Sequence, residues 1–316
     1  MESVVAGIDV SARALDVHVA PVGLNHQVPN TTTGLQRLAS WLREQNVEMV
    51  VMEATGGYEV RAHVTLSEHG CQVAVVNPRQ IRDYAKAIGL LEKNDRIDAT
   101  VLSRYGIKER PTPVRPASTE ECAFRALVSR RQQLVAMITQ ESNRIAHPEH
   151  GPTDSYERVL ALLRDEKRVL EARIAKLIRE SPEWRSRVRR LQSAPGIGPT
   201  LAAVLLTYLP ELGTLSKPEI TKLAGLAPLV RDSGRYRGQR RIGGGRSEAR
   251  GALYMAVLVG LRHQLPIAAH FKRLVARGKP GSVAIVACMR KLLVQLNAME
   301  RDGVEWDSSR LQPLPA

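Results

Sequence analysis

The chain has 316 residues, room for two or three domains, and its 46 Lys and Arg against 32 Asp and Glu leave a formal charge of +14. A hydrophobic fraction of 43% excludes wholesale disorder, and no unbroken apolar run approaches the length of a bilayer span, so no membrane partner is expected. Three scattered cysteines (Cys71, Cys122, Cys288) argue against a disulfide scaffold or a cysteine zinc site, and only two Phe, three Trp and seven Tyr argue against a base-stacking platform.

The opening Met1-Glu2-Ser3-Val4-Val5 lacks the basic and apolar regions of a secretory signal, so a cytoplasmic protein is expected. Val4–Val10 is a short β-rich run that contains Asp9, and Ala14–Pro21 alternates Leu15, Val17 and Val19 with Asp16 and His18, as a half-buried strand does. A capped amphipathic helix opens at Thr31-Thr32-Thr33 with Leu35, Leu38 and Leu42 behind it. Residues 48–53 form a buried strand that ends in Glu53, residues 58–68 a helix, residues 72–76 a strand, and residues 95–107 a helix. The order ββαβαβα predicts an α/β layer on a mixed sheet over residues 1–110.

Pro111-Thr-Pro-Val-Arg-Pro116 cannot sustain helix and marks a boundary. Beyond it, Phe124, Leu127, Leu134, Ile138 and Ile145, then Tyr156, Leu160, Leu163, Leu170, Ile174 and Leu177, recur at about 3.5-residue spacing on either side of His147-Pro148-Glu149-His150-Gly151-Pro152. Residues 117–182 therefore read as a helical coiled-coil hairpin whose seam could also pair between chains, or as part of one globular bundle. Residues 183–316 form a mainly helical domain. Thr200–Tyr208, Ala252–Leu261 and Val283–Leu296 read as core helices in which Met255, Cys288 and Met289 pack.

Charge divides along the same lines. Residues 1–116 hold 13 basic and 13 acidic side chains, residues 117–182 hold 11 and ten, and residues 183–316 hold 22 and nine. Nearly all the excess belongs to the last segment, which makes nucleic acid its leading partner.

Three groups of residues carry candidate chemistry. Asp9 and Glu53 each lie at a predicted strand end, and Asp95 and Asp98 are three apart on a predicted helix, hence on one face. Clustered carboxylates suit a hard divalent cation, which can activate an attacking oxygen at a phosphodiester; the plainer reading is solvated surface acids. Residues 231–250 hold seven arginines, two acids and five glycines, including Arg231, Arg235, Arg237, Arg240, Arg241 and Arg246. Within them Ser233 is either a turn residue or a nucleophile whose attack on phosphorus those cations would support. Gly196 and Gly198 precede the helix at Thr200, where backbone N–H groups can meet a phosphate, as in a helix-hairpin-helix element. His147, His150 and His263 show no ligand spacing.

The ordered set Gly7-Ile8-Asp9-Val10-Ser11, Glu53-Ala54-Thr55-Gly56-Gly57-Tyr58, Asn77-Pro78, Lys93-Asn94-Asp95-Arg96-Ile97-Asp98-Ala99, Pro195-Gly196-Ile197-Gly198, Leu223-Ala224-Gly225-Leu226, Ser233-Gly234, Arg250–Met255 and Ala287–Leu292 covers nearly the whole chain. It resembles the transposases of the insertion-sequence one-hundred-and-ten family, one-thousand-one-hundred-and-eleven group: DEDD, bridge-RNA-guided recombinases. The resemblance implies an RNase H-like (RuvC-like) domain with Asp9, Glu53, Asp95 and Asp98 on Mg²⁺ or Mn²⁺, a coiled-coil hairpin, and a transposase domain with Ser233 as nucleophile. It further implies cutting and rejoining of DNA through a phosphoserine link, and a structured guide RNA that specifies target and donor. A homo-oligomer, dimer and then tetramer in the synaptic complex, at a prokaryotic nucleoid goes with it. Asn94 departs from the family's usual Thr before the third carboxylate, and Gly243-Gly244-Gly245 interrupts the arginine-rich loop. Two other readings compete: a RuvC-like branched-DNA endonuclease that uses metal-activated water, and a non-catalytic nucleic-acid-binding protein.

Overall fold

A computed structural model describes residues 3–90, 92, 94–146, 151–229, 232, 233, 236, 237 and 241–307, with the backbone alone at 95, 96, 232, 233, 236 and 237. The chain forms two compact units, Met1–Ser118 and Thr119–Ala316.

The first unit is α/β. Its elements run β1 (Val5–Val10), β2 (Ala14–Ala20), β3 (Leu24–Pro29), α1 (Thr32–Glu44), β4 (Met49–Glu53), α2 (Tyr58–Glu68), β5 (Val73–Val76), α3 (Pro78–Ala87) and α4 (Asp95–Glu109). One mixed sheet has the order β3-β2-β1-β4-β5. β1 is antiparallel to β2 and parallel to β4, β2 is antiparallel to β3, and β4 is parallel to β5. The central strands are apolar on both faces because helices cover both. Ala6, Ile8 and Val10 pack with Leu35, Leu38 and Leu42 of α1 and Ala62 and Leu66 of α2. Val5 and Val51 face the other way, toward Ile81 of α3 and Val101 and Leu102 of α4.

The tightest junction is α4 on β1. A Cβ added to Gly7 would lie 2.1 Å from the Ala99 carbonyl oxygen and 2.3 Å from the Ser103 amide nitrogen. Further along α4, a Cβ already on Gly106 of the helix would be 2.5 Å from Cγ1 of Val5 in the strand, were it alanine. Only two missing side chains let helix and strand backbones approach this closely. Beside this junction Ser103, fully buried, meets Nδ1 of His18 on β2 at 2.7 Å. Burial, and next the Arg104 charge, hold that imidazole below its ordinary pKa.

The proline segment after α4 stays with this unit. The Val114 amide donates to the Val73 carbonyl (2.9 Å), and its own carbonyl accepts from Nε2 of His63 (2.8 Å).

The second unit begins with two long helices, α5 (Thr119–Ile145) and α6 (Thr153–Glu180). They run antiparallel: Arg131 pairs with Glu171 at 2.7 Å, Leu134 packs on Leu163 and Leu170, and Phe124 and Val128 share a cluster with Ile174. The α5–α6 base is not isolated, because Phe124 stacks on Trp184 at 4.4 Å and its cluster includes Ala203 and Val204. The connecting residues 147–150, with His147 and His150, lie outside the described residues.

There follow α7 (Pro182–Ser193), α8 (Pro199–Tyr208), α9 (Lys217–Leu223), the short pairs β6 (Pro228–Leu229) with β9 (Arg241–Ile242) and β7 (Asp232–Ser233) with β8 (Tyr236–Arg237), then α10 (Ser247–Arg262), α11 (Pro266–Ala276) and α12 (Gly281–Asp302). Leu191, Leu205, Leu253, Leu293 and Leu296 centre one core. Glu300, 2% exposed, ties α12 to α7 by accepting from Arg187 (2.9 Å) and Arg190 (3.1 Å). Among the described residues α12 is the one helix long and apolar enough to cross a membrane, and its Cys288, Met289, Leu292 and Leu293 belong to this core. Met255, expected to pack inside, is instead 50% exposed, because α10 turns Leu253, Ala256 and Val257 inward and leaves the adjacent positions outside.

Candidate active site

Strand parity brings two of the four expected carboxylates together. Ile8 of β1 pairs with Met52 of the parallel β4, so Asp9 and Glu53 occupy the next row on strands about 5 Å apart. Residues two apart share a face of a sheet, so Asp9 follows Gly7, and Glu53 follows Val51, onto the side covered by α4. Both are half-buried.

α4 begins over the same strand ends. Ala99, Leu102 and Gly106 are its sheet-facing positions, Asp98 extends that stripe by one turn, four residues before Leu102, and Asp95 is the first residue of the helix. Asn94, the departure from the family pattern, serves as N-cap: its Oδ1 accepts from the Ile97 amide at 2.9 Å, the service a threonine would give. Acids in a first turn also complement the helix dipole, a purely structural use of Asp95 and Asp98. The Asp95 side chain lies outside the described residues. Among the described residues no three His, Cys, Asp or Glu side chains form a metal cluster by themselves.

Two neighbours of these carboxylates were not singled out from the sequence. Asp16 of β2 stands directly opposite Asp9 in the antiparallel register, and its Oδ1 accepts from Nε2 of Gln27 at 2.8 Å. Glu59 folds back on the loop that leaves Glu53. Its Oε2 accepts from the Thr55 amide (3.1 Å), the Thr55 hydroxyl (2.7 Å) and the Gly57 amide (2.8 Å). Thr55 Oγ1 in turn accepts from the Glu59 amide at 3.2 Å. Burial alone would raise the Glu59 carboxyl pKa, but the bonds from Thr55 and Gly57 outweigh it and hold the group below the usual range. A threonine four residues before a glutamate, across two glycines at a helix start, was the available signal.

The other expected site residues belong to the second unit. Ser233 ends β7 and pairs with Tyr236, and Arg237 pairs with Asp232. Arg231, Arg235 and Arg240 lie outside the described residues. Arg241 is exposed on β9. Arg246 is engaged in the fold: its guanidinium donates to the Tyr208 carbonyl (3.0 Å) and to Glu211 (2.7 Å). The triple glycine packs against the turn after α9, where the Arg246 amide donates to the Leu223 carbonyl (2.9 Å) and Arg250 donates to the Gly244 carbonyl (2.7 Å). It anchors the end of the arginine-rich segment to α9. Gly196 sits beneath the Ala256 carbonyl, and Gly198 is the N-cap of α8 with open space where a Cβ would stand.

A family profile for DEDD transposases of the IS110 type, described as "Transposase", matches residues 6–147, and one described as "Transposase IS116/IS110/IS902 family" matches residues 188–273. The pilin gene-inverting protein of Moraxella bovis is 31% identical over 321 residues, which covers 97% of this chain and 98% of its own length. The chain belongs to the IS110 family of transposases. A probable family 20 transposase of Pseudomonas aeruginosa is 25% identical over 80% of this chain and 81% of its own length. The insertion element IS110 43.6 kDa protein of Streptomyces coelicolor is 31% identical over 47% of this chain and 36% of its own. The transposase is thus a DNA transposition and recombination enzyme, and its DEDD domain implies dependence on a divalent metal. The carboxylates of Asp9, Glu53, Asp95 and Asp98 suit such an ion in chemistry, all hard oxygen donors, and Asp9 and Glu53 stand in one row of the sheet.

Proposed function

We propose that this transposase cleaves and exchanges DNA strands with Ser233 as nucleophile and Asp9, Glu53, Asp95 and Asp98 as the holders of Mg²⁺ or Mn²⁺. The observation that carries the metal half is the placement of Asp9 and Glu53 in one row, on the sheet face where α4 begins. The strand order, with β1 between an antiparallel and a parallel partner, supports an RNase H-like reading of residues 1–110. The antiparallel α5 and α6 support a coiled-coil hairpin over 117–182, with 183–316 as the transposase domain.

A divalent ion, when bound, spreads the charge that develops on the phosphodiester oxygens. The chain's own part is proton and bond traffic. The Ser233 Oγ–phosphorus bond forms, the serine proton passes to a base, and a phosphorus–deoxyribose oxygen bond breaks with that oxygen taking a proton. The energy of the phosphodiester is kept in the serine ester, so the reverse reaction on a second strand end rejoins DNA without a high-energy cofactor. Arg231, Arg235, Arg237, Arg240 and Arg241 supply the cations for the phosphate, Gly196 and Gly198 supply backbone donors, and Arg246, bonded to Tyr208 and Glu211, serves as a structural residue.

The pilin gene-inverting protein that the chain resembles over its full length supports recombination over simple hydrolysis. A structured guide RNA as partner, dimers that assemble into tetramers, and action at the prokaryotic nucleoid complete the proposal. Ser233→Ala is expected to keep DNA and RNA binding and to lose the denaturation-resistant protein–DNA adduct entirely. Cleavage by that variant at the wild-type rate, with free 5′-phosphate ends, would instead establish the branched-DNA endonuclease reading with metal-activated water.

A further inference from the structure

We infer that Glu59 is a positioning residue for Glu53, fixing the metal site through the loop between them and not by touching the ion. The inference rests on the metal-binding reading of Glu53. β4 ends at Glu53, and the sheet still holds the next residue, because the Ala54 amide donates to the Val76 carbonyl at 3.1 Å. Beyond it the chain makes a turn that few side chains tolerate: Gly56 has φ +80° and Gly57 φ +135°, with open space around both. Neither glycine brings a side chain that could pack and define the turn. What defines it is a single oxygen of Glu59, Oε2, which gathers the amides of Thr55 and Gly57 and the Thr55 hydroxyl.

The same bonds decide what the loop is not. A pair of glycines before a helix resembles a phosphate cradle, but the two amides that would face the anion are already given to Glu59. The loop is therefore a clamp. With the sheet on one side and Glu59 on the other, the backbone that follows Glu53 is fixed at both ends. Partners that orient metal ligands from behind are worth roughly 10–100-fold in metal affinity.

All three bonds end on one oxygen, so the variants separate reach from charge. Glu59→Gln retains a carbonyl oxygen at the same distance and loses the charge, whereas Glu59→Asp retains the charge and is one methylene too short. Mn²⁺ binding to the full chain, followed by the electron paramagnetic resonance of the free ion, reads the difference without any reaction. Glu59→Gln is expected to bind Mn²⁺ within about threefold of wild type, and Glu59→Asp about tenfold or more weakly. Weakening in Glu59→Gln with wild-type affinity in Glu59→Asp would assign Glu59 a merely electrostatic role, and wild-type affinity in both would remove any role; either result overturns the inference. Glu53→Gln is the control, expected to lose binding outright. Affinity unchanged in Glu53→Gln would overturn the metal-site reading itself, and the Glu59 inference with it.

Discussion

An Asp9→Asn transposase is expected to lose DNA cleavage and strand exchange by about 10²–10³-fold or more, the cost of removing one preorganised group that stabilises transition-state charge. The substitution is nearly isosteric and falls at a half-buried strand end outside the packed clusters, so its effect on stability is expected to stay within about 0.5 kcal/mol. That separation matters, because Asp9 faces Asp16 across the antiparallel pair, and two like charges placed directly opposite repel. Rates on element-end DNA with the accompanying RNA, set beside urea melts of the same preparations, measure both quantities. Retained cleavage with unchanged stability would leave the acid without a catalytic part.

Gly7→Ala is expected to be the most damaging single methyl in the first unit. The new Cβ meets two backbone atoms, the Ala99 oxygen at 2.1 Å and the Ser103 nitrogen at 2.3 Å, where ordinary contacts need more than 3 Å. Backbone in a helix cannot rotate away as a side chain does, so α4 must move off the sheet. Overpacking of this kind costs about 1–3 kcal/mol and occasionally more; the upper end is expected here, since the Ser103–His18 bond and the close Gly106 approach hold the helix to the same sheet face. The displaced helix carries Asp95 and Asp98, so protein that remains folded is also expected to bind divalent ions weakly. Hydrogen exchange of the β1 and β4 amides measures the first effect, and protection within about 0.5 kcal/mol of wild type would show that the junction is looser than its geometry.

β2, α1 and the two long helices were legible because each follows one period of apolar residues: Leu15, Val17 and Val19 at two, Leu35, Leu38 and Leu42 near 3.6, Leu163 and Leu170 at seven. β1, β4 and β5 were legible as short apolar runs, and β3, where only Val28 is buried, was not. α3 escaped, although Asn77 and Pro78 form a good helix start, because it is short, only Ile81 of its ten residues is fully buried, and the stripe it makes with Tyr84 and Ala85 spans barely more than one turn. α7 was hidden for a similar reason: Arg185, Arg187, Arg189 and Arg190 dominate its composition, and two of them are drawn to Glu300, far away in sequence. Asp9 and Glu53 could be named from strand ends, but that they share a face follows only from the β1–β4 pairing, which is a long-range fact. Arg246 looked like its arginine neighbours until the fold supplied Glu211, and Glu59 looked like an ordinary first-turn acid until the Gly56–Gly57 turn brought Thr55 within reach. In each case the local pattern was readable and the distant partner was not.

The most direct measurement replaces the bound ion with Fe²⁺ and maps where locally generated hydroxyl radicals cut the polypeptide. Cuts are expected in three narrow windows, around Asp9, around Glu53 and at the start of α4 near Asp95 and Asp98, and they should vanish together in Asp9→Asn. Cuts confined to one window, or clustered elsewhere in the chain, would contradict a metal site assembled from two strand ends and a helix start.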